Sequence, residues 1–265
     1  MMLSEPFIAE TMRRRIEQEL HAIEHEHDVR ILLAIESGSR AWGFPSPDSD
    51  YDVRFIYVQR VEAYLSIELR REVIERPVDS VLDINGWDLR KALRLMVHSN
   101  AVLFEWLTSP LRYREAEDAP AKIRSLAEET CSLPAFIYHY DRLARRFFEE
   151  VSASHDVIPF KTYCYALRPS LALHWIRHHE QPPPMDLSTL LSRNIVSHEV
   201  REAISELIKR KASATEQATC RRIPQLDNFI AGALSETASR SSFPDRAQAL
   251  SEANSLFASL VREKT

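Results

Sequence analysis

The chain has 265 residues and a mass of 30.6 kDa, enough for one large hydrophobic core or two smaller ones. Its 45% hydrophobic and 28% charged residues are typical of a soluble globular protein, and no apolar run is long enough to span a bilayer or to form a signal peptide. A formal net charge of -5 argues against a broad nucleic-acid-binding surface, although a local basic groove remains compatible with it. The three cysteines are widely spaced, which predicts reduced thiols in a cytoplasmic protein. The lack of a long apolar run predicts that the protein has no membrane partner.

The first 115 residues alternate between helical and strand patterns. An amphipathic helix is predicted over Ile8–Ile23, and the helix Gly86–His98 follows the predicted strands. Apolar residues on both faces of the second strand indicate that it is central and covered on both sides. The strands are predicted to form a small mixed sheet, and they span Val29–Ser37, Tyr51–Val58, Glu72–Pro77 and Ser80–Ile84.

A glycine-serine pair, Gly38-Ser39, follows the first predicted strand. Glycine at the end of a strand lets the backbone approach a phosphate closely. Ser39 can donate a hydrogen bond or cap a short helix, which Arg40 would begin. The pair is therefore a candidate phosphate-binding turn.

Two aspartates, Asp50 and Asp52, stand at the head of the second predicted strand. Residues i and i+2 of a strand share a face and lie roughly 6.5–7 Å apart along the chain. Acids on a buried strand are costly unless a cation meets them, and Mg2+ prefers carboxylate, water and phosphate oxygens. With Asp48 the pair resembles a calcium loop, but Val53 stands where an EF-hand needs glycine and Gln59 where it needs glutamate. The pattern thus favours a site for Mg2+, or alternatively Mn2+, carrying a nucleoside triphosphate, and the competing interpretation is a solvated acidic turn.

A third acid, Asp83, lies between Leu82 and Ile84 in the last predicted strand of this region. A lone acid with apolar neighbours needs a physical reason. One interpretation is a third metal ligand or general base beside the aspartate pair. The alternatives are an aspartate at the edge of the sheet, or the cap of the helix that follows.

From about residue 118 the pattern becomes helical. The predicted organisation is therefore a nucleotide-handling domain over 1–115 and a helical bundle over 116–265. The fold class is α+β: a small mixed sheet with helices, followed by an all-α domain. Three consecutive prolines, 182–184, predict a stiff connector. The predicted helices span 119–130, 134–152, 159–180, 197–212, 216–239 and 244–263.

Three residues of the predicted bundle, Lys161, Tyr165 and Arg168, share one helical face at positions i, i+4 and i+7. A cationic and aromatic face of this kind could contact the triphosphate and the base of a nucleotide. The alternative is a solvated face with a buried tyrosine. Arg168 and His174 also have the arginine-then-histidine spacing of the HEPN ribonucleases, which is a weak signal on a single helix.

Several of these segments resemble a known family. The chain is similar to the predicted nucleotidyltransferases associated with RNA ligases, within the nucleotidyltransferase superfamily that has a DNA polymerase beta-like fold. The likeness covers residues from about 30 to 195, whereas the last seventy residues resemble nothing that we can name. It is carried by GSRAWGFPSPDSDYDVR from Gly38, LDINGWDLRKALRLMVHSNAVLFEWLTSP from Leu82, KTYCYALRPSLALHWI from Lys161 and PPPMDLSTLL from Pro182.

The resemblance implies roles for five residues of this chain. Gly38 and Ser39 would contact the triphosphate, and Asp50 and Asp52 would be metal ligands. Asp83 falls where the superfamily has its third carboxylate.

The expected function is Mg2+-dependent transfer of a nucleoside monophosphate from an NTP to a hydroxyl acceptor. The acceptor could be an RNA end, a protein side chain or a small molecule. By analogy, the resemblance to RNA-ligase-associated proteins points to an RNA end, in RNA repair or modification, and to an association with an RNA ligase. Two alternatives stay open. In the first, the protein is a non-catalytic nucleotide- or RNA-binding module beside a ligase. In the second, it is a metal-independent ribonuclease that uses Arg168 and His174.

Overall fold

The strand that follows Asp50 is the central strand of a mixed sheet in the computed structural model, which describes residues 8–68, 70–77, 79–154, 156–236 and 244–263. Within those residues the sheet has five strands: β1 (Val29–Glu36), β2 (Tyr51–Gln59), β3 (Val73–Pro77), β4 (Leu82–Asp88) and β5 (Arg112–Glu115). Their order across the sheet is β3-β4-β2-β1-β5. The central strand β2 is antiparallel to β1 and parallel to β4.

Helices cover this sheet on both faces. On one face Ile16, Leu20 and Ile23 pack against the apolar side chains of the strands, among them Phe55 and Ile84. On the other face, helices from three separate parts of the chain contact β1 and β2. The predicted central, covered position of β2 is therefore confirmed. The helices around the sheet are α1 (Glu10–His27), α3 (Val61–Leu65), α4 (Leu89–Val97), α5 (Ala101–Thr108), α6 (Ala119–Thr130) and α12 (Arg246–Arg262).

The chain divides into two compact units. The sheet unit comprises the described residues of 8–38, 50–132 and 244–263, and the helical unit comprises those of 39–49 and 133–236. A short helix, α2 (Gly38–Trp42), begins where the first segment of the sheet unit ends. The longer helices of the helical unit are α7 (Leu133–Ala153), α8 (Phe160–His179), α9 (Leu187–Arg193), α10 (His198–Ala212) and α11 (Pro224–Ser235), and a small two-stranded sheet joins β6 (Val157–Pro159) to β7 (Thr219–Arg221).

This division differs from the predicted 1–115 and 116–265. Helices α6 and α12 pack with the sheet unit, where Phe257 meets Tyr64 edge to face with ring centres 5.0 Å apart. The segment 39–49 groups instead with the helical unit. Both differences arise from contacts between residues far apart in sequence, which helical periodicity does not encode.

Two element boundaries also differ from the predictions. The helix expected from Gly86 begins at Leu89, because Asn85–Asp88 continue β4 in register with Arg54–Tyr57. Asp88 caps that helix by accepting a hydrogen bond from the backbone of Arg90. The predicted helix 216–239 begins later, as α11, because residues 219–221 pair with β6 and Pro224 starts the helix; its predicted residues 237–239 lie outside the described residues.

The predicted α+β class is confirmed: one unit contains a mixed sheet with helices, and the other is mostly helical. Along the described ranges, no helix is both long enough and apolar enough to cross a membrane.

Two glycines give a matched test of packing in this fold. A Cβ at Gly86 would lie 2.1 Å from ring atoms of the fully buried Phe55, whereas a Cβ at Gly232 in α11 would meet no heavy atom within 4 Å. We expect Gly86→Ala to lower the free energy of unfolding by about 1–3 kcal/mol through overpacking. Gly232→Ala should raise it by about 0.5–1 kcal/mol through helix propensity. Urea denaturation of both variants checks these values, and equal effects would contradict the Gly86–Phe55 contact.

Candidate functional site

The predicted phosphate-binding turn lies directly against the carboxylate of Asp52. Gly38 has a φ of +59°, a conformation that side-chain-bearing residues rarely adopt. A Cβ at this position would lie only 2.0 Å from Oδ2 of Asp52. The backbone of Ser37 also donates a hydrogen bond of 2.8 Å to the carbonyl oxygen of Asp52. Glycine is therefore required here for two reasons, its backbone angle and its contact with an acid.

Asp52 and Asp83 lie opposite each other on neighbouring parallel strands, as Cα partners in the β2–β4 register. One guanidinium nitrogen, Nη2 of Arg54, donates to Oδ1 of Asp52 at 2.7 Å and to Oδ2 of Asp83 at 2.8 Å. Arg54 follows Asp52 by two residues, so strand alternation puts both on one face of the sheet. The structure thus brings these two predicted acids together, with an arginine as their shared counter-ion.

Asp50 precedes β2 and is exposed to solvent. That Asp50 shares a face with Asp52 stays a prediction, because strand alternation applies only from Tyr51 onwards. Asp83 also has an accessible side chain, which is 53% exposed. Asp83 is not the cap of the following helix, because Asp88 takes that role.

The donor chemistry of this acid pair fits Mg2+. In proteins Mg2+ is held by one or two carboxylates together with waters and phosphate oxygens of the substrate. In the part of the chain that the structure describes, no three His, Cys, Asp or Glu side chains converge as a metal-binding group. The roles of Asp50 and Asp52 as metal ligands stay predictions, and the close approach of Gly38 to Asp52 brings the predicted phosphate-binding turn beside this carboxylate.

A buried acid that was not predicted as a site residue, Glu36, holds the backbone of Asp52 through a hydrogen bond. Glu36 closes β1 and is fully buried. Its Oε1 accepts a hydrogen bond from the backbone N–H of Asp52 at 3.1 Å, and its Oε2 accepts one from the hydroxyl of Tyr113 at 2.6 Å. Burial and the charge of Glu36 raise the pKa of Tyr113, so this hydroxyl remains a donor. The sequence signal was an acid at the end of an otherwise apolar run.

Removal of the Tyr113 hydroxyl tests this support. We expect Tyr113→Phe to lower the free energy of unfolding by about 1–3 kcal/mol, because a buried carboxylate loses a donor. Tyr138→Phe is the matched control, because Tyr138 is 64% exposed and its hydroxyl accepts a hydrogen bond from the surface residue Arg142. The control should change the free energy of unfolding by less than about 0.5 kcal/mol in denaturant titrations. A Tyr113→Phe variant as stable as wild type would contradict the role of the hydroxyl.

Lys161, Tyr165 and Arg168 lie in the helical unit and surround an aromatic cluster. Tyr165 meets Trp42 edge to face with ring centres 5.3 Å apart, and the Lys161 ammonium lies 5.8 Å from the centre of the Tyr165 ring. The guanidinium of Arg168 lies 4.8 Å from the centre of the Trp42 ring. Their shared helical face is thus confirmed as a set of contacts, and nucleotide binding by these residues stays a prediction.

Two of these cations also have protein partners. Arg168 is only 3% exposed and donates from Nε to the carbonyl oxygen of Met185 at 3.0 Å. Nζ of Lys161 lies 3.2 Å from Oε1 of Glu216. In addition, Arg40 donates to the carbonyl oxygen of Ser49, which closes the loop that leads to the aspartate pair.

Comparisons with known proteins show which family this chain is similar to. The sequence model of a family described as the RNA repair pathway DNA polymerase beta family (RlaP) matches residues 12–259. The chain is 45% identical over 219 residues to the uncharacterized protein YcgL of Bacillus subtilis (strain 168). The alignment covers 83% of this chain and 84% of that protein. A crystal structure of a nucleotidyltransferase-like protein from Exiguobacterium sibiricum 255-15 aligns with 94% of this chain and 80% of that chain, at 11% identity and a TM-score of 0.28.

Proposed function

The chain belongs to the RNA repair pathway DNA polymerase beta family, and from that premise we propose that it is a Mg2+-dependent nucleotidyltransferase. It moves a nucleoside monophosphate from an NTP to a hydroxyl acceptor, and we propose an RNA end as this acceptor. The observation that carries this proposal is the contact between Gly38 and the carboxylate of Asp52, with Asp83 in register on the neighbouring strand. A glycine turn that approaches an acid this closely suits a metal-bound phosphate better than a free one.

Each residue has a defined part in this proposal. The backbone of Gly38 and Ser39, together with the side chain of Arg40, binds the phosphates. Asp50 and Asp52 hold Mg2+, or alternatively Mn2+, which supplies neutralisation of the phosphate charge. Glu36 fixes the backbone of Asp52 through the hydrogen bond described above.

The transfer step is a displacement at the α-phosphorus. The acceptor oxygen forms a bond to this phosphorus, while the bond to the oxygen that bridges to the β-phosphate breaks and pyrophosphate leaves. The proton of the acceptor hydroxyl passes to a carboxylate. The candidate for this general base is Asp83, whose side chain is accessible. Catalysis arises mainly from positioning and charge neutralisation.

The helical unit supplies the proposed nucleotide-contacting face. Lys161 contributes positive charge, and Tyr165 contributes an aromatic ring next to Trp42. The buried Arg168 contributes through the Trp42 ring that it lies over, rather than by direct contact with the nucleotide. A ring that is only partly buried can stack on any nucleobase, so this face does not select one NTP. Location in the cytoplasm and an RNA ligase as functional partner remain predictions.

A labelling experiment tests the proposed transfer. The purified protein is incubated with each NTP labelled at the α-phosphate, Mg2+ and total RNA, and we expect label in the RNA together with release of pyrophosphate. A non-catalytic binding module would retain NTP or RNA without releasing pyrophosphate. Heat-treated protein and samples with excess chelator are the controls.

The ribonuclease alternative receives less support from the structure. Arg168 is buried against Met185. Nε2 of His174 lies 3.0 Å from the carbonyl oxygen of Ile195, and burial lowers the pKa of His174. RNA cleavage without metal that disappears in His174→Ala would favour this alternative over transfer.

A further inference from the structure

A fully buried lysine in the helical unit, Lys211, has no part in the function proposed so far. It lies in the last turn of α10 and is only 1% exposed. Its Nζ donates to Oγ of Ser46 at 2.8 Å and to Oε2 of Glu216 at 3.2 Å. A buried ammonium is tolerated only when it is paired and hydrogen-bonded, so Lys211 depends on Ser46 and Glu216 to remain buried.

The same carboxylate binds the turn that leads to the aspartate pair. Oγ of Ser49 donates to Oε2 of Glu216 at 3.0 Å, and the backbone N–H of Glu216 donates to Oδ1 of Asp48 at 2.8 Å. Within the turn, the backbone N–H of Ser46 donates to Oγ of Ser49 at 2.9 Å. Both serines are only 3% exposed. The turn 46–49 is therefore fixed from both its ends by Lys211 and Glu216.

Glu216 is ionised under ordinary conditions. Burial alone would raise its pKa, but the Lys211 ammonium and the hydrogen bonds from Ser49, Lys161 and Lys211 together lower the pKa of this carboxyl below its usual range. Lys211 and Glu216 thus form a salt bridge, and the hydroxyl groups of Ser46 and Ser49 complete its hydrogen bonds.

We propose that Lys211 and Glu216 are positioning residues, whose partly buried ion pair fixes the turn 46–49 and thereby the position of Asp50, the next residue in the chain. This inference rests on the proposed function, in which Asp50 is a metal ligand. Neither residue contacts the substrate in this account, because each acts through the serines of the turn. The segment between Pro45 and Asp50 contains no helix or strand, so side-chain hydrogen bonds carry much of its order.

The test compares Glu216→Gln, Lys211→Met and Ser49→Ala with the control Lys209→Met, an exposed lysine on the same helix. Hydrogen exchange of the Ser49 amide is the first measurement, since this N–H bonds to the carbonyl oxygen of Ser46. We expect exchange to become about tenfold faster in the three variants, the factor given by loss of one ordinary hydrogen bond. The control should exchange like wild type.

Mn2+ binding and steady-state kinetics are the second and third measurements. We expect Mn2+ affinity to fall by about tenfold in the three variants and kcat to fall with it. KM for the NTP should change by less than about twofold in Lys211→Met and Ser49→Ala, because the turn acts on metal position and not on nucleotide contacts. Glu216→Gln is left out of the KM comparison, because it also removes the ion pair with Lys161. Ser49→Thr, which keeps the hydroxyl, should restore all three properties. Unchanged exchange, or faster exchange with wild-type Mn2+ affinity, overturns the proposal.

The outcomes separate this inference from the proposed function. If wild-type protein transfers no nucleotide, hydrogen exchange and Mn2+ binding still decide the positioning role. If wild-type protein also binds no Mn2+, faster exchange at both Ser49 and Asp50 would support it and wild-type exchange would overturn it. If Lys211→Met does not fold, the milder Ser49→Ala variant carries the test.

Discussion

Asp52→Asn is expected to reduce nucleotidyl transfer by about a thousandfold or more, because the loss of several kcal/mol of charge stabilisation corresponds to roughly three orders of magnitude in rate. Asparagine keeps the shape of the side chain but removes the negative charge that faces Gly38 and Arg54. The fold should persist, since the Asp52–Arg54 pair is partly exposed and such pairs add at most about 1 kcal/mol.

The measurement is a rate of pyrophosphate release in the presence of acceptor, together with a melting curve. Arg71→Gln is a suitable control, because Arg71 forms an exposed ion pair with Glu75 and precedes β3, at the end of that strand away from the Pro77–Asp83 pairing. Its transfer rate should match that of wild type. Full turnover in a pure Asp52→Asn sample would rule out the proposed metal-binding role of this carboxylate.

Gly38→Ala should have the second largest effect. Alanine at a φ of +59° costs about 1–2 kcal/mol, and its Cβ would lie 2.0 Å from Oδ2 of Asp52, so the turn or the carboxylate must move. A displacement of about 1 Å at a reacting centre can cost about a hundredfold in rate. We therefore expect kcat to fall by about a hundredfold, with a modest fall in melting temperature.

Gly43→Ala isolates the contact from the backbone strain. Gly43 also has a positive φ, of +89°, but a Cβ there would lie 4.0 Å from the nearest atoms, which belong to Leu187. Both variants carry strain, and only Gly38→Ala disturbs Asp52. Transfer rates that fall equally in the two variants would contradict a specific role for the Gly38–Asp52 contact.

The order of elements around the acid pair could be predicted from sequence because it is local. Strand, glycine turn, acid pair and buried strand follow one another within 30 residues, and each has a short-range signature in backbone angle or side-chain alternation. Alternation along the strand predicted only that Asp50 and Asp52 share a face. The structure adds the register that sets Asp83 opposite it.

Arg54 shows where local reasoning was incomplete. Its spacing from Asp52 already directed it to the same face of β2, so an ion pair could have been predicted. Its second partner, Asp83, comes 29 residues later and is reached only through the parallel pairing of two strands. The helix cap at Asp88 was missed for the same reason, because β4 continues for as long as β2 pairs with it.

The buried charges of Glu36, Lys211 and Glu216 could not be paired from the sequence. Lys211 looks like part of a solvated basic helix end, since Lys209 and Arg210 precede it. Its serine partner lies 165 residues earlier in the chain. Contacts of this kind depend on how distant segments pack, and the periodicity of a single helix carries no information about them.

A paired-label experiment tests the central claim most directly. Wild-type protein and Asp52→Asn are incubated with Mg2+, RNA and one NTP, labelled in parallel reactions at the α- or the γ-phosphate. The proposed mechanism predicts that wild-type protein moves the α-label into the acceptor and releases the γ-label as pyrophosphate, and that Asp52→Asn does neither. Transfer of the γ-label to the acceptor, or release of inorganic phosphate with the α-label still in free nucleotide, would contradict it.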